Sequence, residues 1–166
     1  ALRPLLRAGL LSKSAVSRLV TSLQAQWEAW RDRPLGEERY VHLYLDGFAL
    51  AVRCAGRVTR MVVLAVVGVT PEGQKRLLAL DLAASESQEA WQSLLAGLVA
   101  RGLQVPLGAT IDGCPGLRQA LAAVWPTLAV QRCVVHKLRN LLAKGPRHPH
   151  DAIREDFHAT VSADTP

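Results

Sequence analysis

The sequence is poor in the features that would mark a secreted or membrane-spanning protein. It has three cysteines, Cys54, Cys114 and Cys133, at irregular spacing. That is no disulfide framework, and it leads us to expect a reducing compartment. The longest apolar run, Met61 to Val69, is far too short to span a bilayer. No signal-peptide pattern is present, so a soluble, cytoplasmic protein is expected. Internal repeats and low-complexity tracts are missing. So are the two common glycine-rich phosphate loops, which argues against a nucleotide-binding α/β domain. One absence is local: residues 113 to 150 contain six Lys or Arg and no Asp or Glu.

What is present is an ordinary globular composition in 166 residues, with 49% apolar and 20% charged residues. That is one domain, or one domain with a small appendage. The net charge of +6 suits a polyanionic partner such as DNA or RNA. A solvated basic surface would have the same net charge, but it normally intersperses both signs, as the stretch 113 to 150 does not.

The patterning predicts a helix over Ser12 to Trp30, with Val16, Leu19, Val20, Leu23 and Trp27 on one stripe. Gly9 and Leu5, Leu6 and Leu10 upstream suggest a preceding helix and a turn. The outline is that of a helix-turn-helix, with Lys13, Ser14, Ser17 and Arg18 where DNA readers place contacts. A plain helical hairpin fits the same pattern. The polar segment Arg31 to Arg39 reads as a linker.

Three strands are expected next, over Tyr40 to Arg53, Arg60 to Val69 and Lys75 to Leu82, as an antiparallel meander. The second is apolar enough for burial on both faces. A helix over Glu86 to Arg101 follows, with a Ser85/Gln88 capping box and Gly102 at its end. Then come a strand over Leu107 to Asp112, a helix over Pro115 to Val124, a strand over Leu128 to Gln131 and a helix over Val134 to Lys144. The order β-β-β-α-β-α-β-α predicts an α/β fold with an RNase H-like mixed sheet, preceded by a short helical segment. The expected domains are 1–33, helical and incomplete; 34–146, the front of the RNase H-like domain; and 147–166, the start of a helical insertion or a tail.

Asp46 falls inside a strand among apolar neighbours, a poor place for a carboxylate. Asp112 ends the fourth strand, where ligand sites gather in α/β sheets. In the RNase H order these strands are adjacent and parallel, so the two acids would face each other. Paired carboxylates repel, and Mg²⁺ resolves the conflict. Taken singly, Asp46 fits an edge-strand surface residue and Asp112 a helix N-cap. Asp81 ends the third strand, which runs parallel to the first; it could sit near the site, but a strand end or a loop cap is the plainer reading.

Six stretches carry a family resemblance: SKSAVSRL (Ser12 to Leu19), EAWRDRPL (Glu28 to Leu35), YLDG (Tyr44 to Gly47), ALDLAASES (Ala79 to Ser87), IDGCPGL (Ile111 to Leu117) and QRCVVHKLRNLL (Gln131 to Leu142). In this order and spacing the sequence resembles the Mutator-type transposases, in their bacterial insertion-sequence branch. The resemblance covers nearly the whole chain, and the last stretch is its most specific part.

The resemblance implies a DDE recombinase that cuts and joins transposon ends with Mg²⁺ or Mn²⁺. Asp46 matches the family's first acid and Asp112 its second. The third, a glutamate on a later helix beyond a helical insertion, is expected to be missing from this chain, since Glu155 and Asp156 lie too close to the fifth strand. The family also usually has a different residue where Cys114 stands.

Cys133 and His136 could supply half of a Zn²⁺ site, with His148 and His150 as the only nearby partners. A buried cysteine beside a structural or DNA-facing histidine is the plainer reading. Arg132, Lys137, Arg139 and Lys144 are expected phosphate contacts. The implied partners are double-stranded DNA, both terminal repeats and target, and a second copy in the full-length protein. The implied location is the bacterial cytoplasm, at the nucleoid. A non-catalytic DNA-binding remnant and an unrelated RNase H-like nuclease are the alternatives.

Overall fold

The structure is a computed structural model that describes residues 12–54, 56–146 and 148–163. Its contacts divide the chain into two units, Ala1–Pro34 and Leu35–Pro166.

In the first unit, helix α1 (Lys13–Asp32) is capped by Ser12, whose hydroxyl accepts from the Ala15 amide. The apolar stripe of Val16, Leu19, Val20, Leu23 and Trp27 is exposed. The Trp27 and Trp30 rings lie 4.9 Å apart, and the Arg33 guanidinium sits 4.7 Å over Trp30. The helix and turn expected around Leu5, Leu6, Gly9 and Leu10 lie outside the described residues. The linker expected over Arg31 to Arg39 is shorter than its composition suggests. The helix runs on to Asp32, and Leu35, only 2% exposed, is part of the second unit's core. One apolar side chain with a cavity to fill outweighs the polar residues around it.

The second unit is a five-stranded sheet with helices. In chain order it comprises β1 (His42–Cys54), β2 (Arg57–Val69), β3 (Lys75–Ala83), α2 (Gln88–Ala100), β4 (Gly108–Ile111), α3 (Pro115–Val124), β5 (Ala129–Arg132), α4 (Val134–Lys144) and α5 (His150–Val161). The strand order is β3-β2-β1-β4-β5. The first three strands form an antiparallel meander, and β4 and β5 add in parallel to β1 and β4. This is the RNase H-like sheet that the element order predicts.

Alternation along β1 separates two faces. Leu43 and Leu45 join Leu64, Val66, Leu78, Ala109 and Ile111 in the core. Against them pack Trp91, Leu94, Leu95 and Leu98 of α2 and Leu117, Ala120 and Leu121 of α3. The other face carries His42, Tyr44 and Asp46. Expected burial of β2 on both faces is only partly met: Leu64 and Val66 are buried, Ala65 and Val67 half-buried, and Arg57 to Arg60 exposed. The two principal helices both pack on the core face, so the other face keeps only partial cover.

One helix start differs from expectation. Ser87, not Ser85, caps α2, with its hydroxyl accepting from the Ala90 amide at 3.2 Å. Glu86 is therefore left outside the helix, in the connection from β3. Among the described residues, no helix is long and apolar enough to cross a membrane.

Candidate acidic site

Asp46 lies inside β1 and Asp112 immediately after β4. These strands are parallel neighbours, with Leu45 opposite Ile111, so the next residues along each chain are the two aspartates. Both are half-buried. The Asp112 carboxylate is oriented by the chain that follows it, since its Oδ1 accepts from the Cys114 amide at 2.8 Å. This turn sends the chain into α3, which has proline in its first turn.

Glu86 lies within electrostatic reach of both aspartates. A β-carbon on Gly116 would lie 3.2 Å from the Glu86 carbonyl oxygen and 3.0 Å from the Gln88 amide nitrogen. Glycine at 116 thus allows the start of α3 to meet the start of α2, and this brings Glu86 toward Asp112. On the other side, a β-carbon on Gly47 would overlap the Glu86 carboxyl group.

The electrostatics record this crowding. Burial pushes the Asp46 carboxyl above its ordinary range, the nearby Asp112 charge adds to this, and His136 and Arg139 oppose it. Burial also raises Glu86, and here both aspartates add to the effect. For a carboxylate raised in the folded state, the native protein holds more protons than the unfolded chain, so stability falls as pH rises through the raised value. The cation-free protein is therefore expected to gain stability from these two groups as pH drops from neutral, with the full gain below their ordinary values of 3.8 and 4.5. Thermal melts across pH would check this. The double variant Asp46→Asn/Glu86→Gln should have a smaller acid-side gain than the wild type, and equal slopes would refute it.

Helix α4 supplies the basic side of the site. His136 and Arg139, one turn apart, act electrostatically on Asp46. The His136 Nδ1 is buried and makes no hydrogen bond among the described residues. Cys133 sits at the N-cap of α4, half-buried, with its backbone amide donating to Ile111 O at 2.6 Å. His150 approaches Gly145 O at 3.5 Å, and His148 is exposed. Among the described residues, no three His, Cys, Asp or Glu side chains converge closely enough to enclose a metal ion.

Arg132, Lys137, Arg139 and Lys144 are all exposed. Beside Asp46 on the same sheet face, a groove of about 370 Å³ is lined by His42, Tyr44, Thr110 and the start of α4. His42 Nε2 and Thr110 Oγ1 are 2.9 Å apart in it. Lys13, Ser14, Ser17 and Arg18 are exposed on the first turns of α1, in the separate first unit. Asp81 stays out of the site: it is exposed on β3, which β2 separates from β1, and its Oδ1 accepts from the Leu82 amide. Glu155 and Asp156 are exposed on α5.

Sequence reasoning missed Glu86 as a neighbour of the two aspartates. The available signal was its place in the ALDLAASES stretch, between the two aspartates along the chain, but reading it as the first residue of a helix concealed it.

The sequence profile described as "Transposase, Mutator family" matches residues 5–165. The transposase for insertion sequence element IS1081 of Mycobacterium tuberculosis is 37% identical over 149 residues, covering 90% of this chain and 36% of that protein. The transposase for IS406 of Burkholderia multivorans is 39% identical, covering 78% of this chain and 33% of that protein. The transposase for IS256 in transposon Tn4001 of Staphylococcus aureus is 31% identical, covering 87% and 37%. The chain thus spans roughly a third of the length of these relatives. Among solved structures, the catalytic core domain of HTLV-2 integrase in complex with magnesium aligns over 76% of this chain and 87% of its own, at 13% identity and a TM-score of 0.37.

Proposed function

The chain belongs to the Mutator family of transposases, and from that premise we propose that it forms the front part of a transposase catalytic domain, in which Asp46 and Asp112 hold divalent cations for cutting and joining DNA. The observation that carries this reading is the placement of two half-buried carboxylates at neighbouring positions on parallel strands β1 and β4.

The residues fit Mg²⁺ or Mn²⁺. Their donors are carboxylate oxygens, which hard cations prefer. Asp112 raises the cost of ionising Asp46, and the buried Glu86 Oε1 lacks a partner among the described residues. Mg²⁺ needs only one or two protein carboxylates, because it keeps waters and takes phosphate oxygens from its substrate. The aspartate pair therefore need not enclose an ion by itself. When bound, the cations would activate the attacking oxygen and stabilise the leaving one.

The chain's own residues do the positioning. The Cys114 amide orients Asp112, and strand β1 places Asp46 beside it. Arg139 and His136 offset part of the Asp46 charge. Lys137, Arg132 and Lys144 extend this basic surface and suit the phosphates of a duplex. Lys13, Ser14, Ser17 and Arg18 on α1 form a second DNA-contacting group, in a segment that serves sequence recognition. The third acid of the family pattern comes from a helix beyond this segment, and the full-length protein acts as a homodimer in the bacterial cytoplasm. Cys133 with His136 is half of a zinc site only if later residues supply the other ligands.

Titration of a labelled duplex over a range of salt concentrations tests the reading. Affinity should fall steeply with salt, and Lys137→Ala or Arg139→Ala should each reduce the logarithmic salt slope by about one. With Mn²⁺ added, this chain alone should not cut the duplex. Salt-independent binding would refute the basic surface, and cutting would refute the need for a third acid from outside.

A further inference from the structure

The β1–β2 hairpin outruns the sheet that carries it. Strand β1 pairs with β4 only as far as Leu45 opposite Ile111, and β2 pairs with β3 only as far as Val62 opposite Ala83. Five β1–β2 pairs lie beyond both limits, from Leu50 opposite Met61 to Cys54 opposite Arg57. Over these pairs the hairpin is a two-stranded ribbon. A β-carbon on Gly56, at its turn, would meet nothing within 4 Å. Leu50 and Val58 are exposed on the ribbon. Two strands alone are marginal in water, so the ribbon gains from a surface to lie against.

Its charge indicates what that surface is. Residues 47–63 contain Arg53, Arg57 and Arg60 and no Asp or Glu. All three arginines are exposed, and none makes an ion pair among the described residues. Alternation onward from Leu43 and Leu45 puts Arg53 on the core side of the ribbon. Arg60, opposite Ala51, lies on that side too, and Arg57 lies on the side of Asp46. A flat anionic surface would meet one side only. A duplex groove has phosphates along both walls, and the major groove, about 12 Å wide, admits a two-stranded ribbon.

We propose that the end of the β1–β2 hairpin is a DNA-contacting arm that enters the groove of a duplex, with Arg53, Arg57 and Arg60 on its phosphates. This rests on the reading that the chain acts on DNA, and it adds a contact separate from those of α1 and α4. The strand from Asp46 to Arg53 rises about 23 Å. That reach equals about seven base pairs of duplex.

The test is titration of a labelled duplex, and of one of its strands alone, over a range of salt concentrations. Three proteins are compared: the wild type, the ribbon variant Arg53→Gln/Arg57→Gln/Arg60→Gln, and the matched variant Arg76→Gln/Arg118→Gln/Arg154→Gln. The matched set removes the same charge from exposed positions away from the ribbon. The ribbon variant should lower the logarithmic salt slope on duplex by about three and weaken binding on the order of tenfold or more. The matched variant should stay near the wild type, and the single strand should register a smaller loss. Thermal melts of the ribbon variant should match the wild type.

A wild-type slope in the ribbon variant, with Lys137→Ala still weakening binding, would overturn the arm and leave the DNA reading intact. A wild-type chain that binds no duplex would overturn both. Equal losses in the two triple variants would reduce the effect to net charge, and equal losses on duplex and single strand would remove the groove; either overturns the proposal. So would a wild-type dimer, seen by light scattering, that the ribbon variant splits, because the ribbon would then join two copies. If the ribbon variant does not fold, Arg57→Gln decides. A slope reduced by about one supports the arm, and an unchanged slope refutes it.

Discussion

Asp46→Asn is expected to weaken divalent-cation binding on the order of 100-fold, or roughly 2.7 kcal/mol, without unfolding the protein. Asparagine keeps the size and one oxygen of the side chain but removes its charge. Asp46 stands inside β1, beside Asp112 and within electrostatic reach of Glu86. Removing its charge relieves repulsion in the cation-free state, so the melting temperature in chelator should hold or rise. Asp112→Asn should have a similar effect on binding. Its Oδ1 accepts from the Cys114 amide at 2.8 Å, and an asparagine oxygen can still do so. Calorimetry with Mn²⁺ reads the affinity and a thermal melt reads the fold. Unchanged Mn²⁺ affinity in both variants would sink the metal-site reading.

The second large effect is on stability. Trp91 is fully buried, at 0% exposure, where α2 packs on the sheet and on α3. Trp91→Ala should cost about 3–5 kcal/mol, from lost apolar burial and the cavity left behind. Trp91→Phe should cost much less than its lost area suggests. The indole Nε1 is buried and has no hydrogen-bond partner among the described residues. Removing that donor recovers a desolvation penalty of about 1–3 kcal/mol, which offsets part of the smaller ring's poorer packing. Chemical denaturation of the three proteins would settle the ordering. A Phe variant as unstable as the Ala variant would show that ring volume alone governs the position.

Most of the sheet could be read locally. Leu43 and Leu45 alternate with His42, Tyr44 and Asp46, and that period of two both marks β1 and assigns its faces. Trp91, Leu94, Leu95 and Leu98 recur at helical spacing and mark the buried side of α2. Each is a property of a few consecutive residues. The limits appear where two local signals compete. Ser85 and Ser87 are both good caps, and the selection of Ser87 moved Glu86 out of the helix. Leu35 sits in a polar stretch that reads as linker, yet the core takes it.

The sequence by itself determined the element order, one aspartate inside the first strand and another just past the fourth, and the basic stretch after them. Periodicity, capping residues and charge bias are carried along the chain and need no partner to be recognised. Only the tertiary structure decided that Glu86 comes within electrostatic reach of those aspartates, and His136 and Arg139 within reach of Asp46. The place of Glu86 depends on three segments far apart in sequence meeting at Gly47 and Gly116, where a missing β-carbon allows backbone and carboxyl group to approach. No local pattern contains that distance, because it arises only when the sheet and its helices close on a shared core.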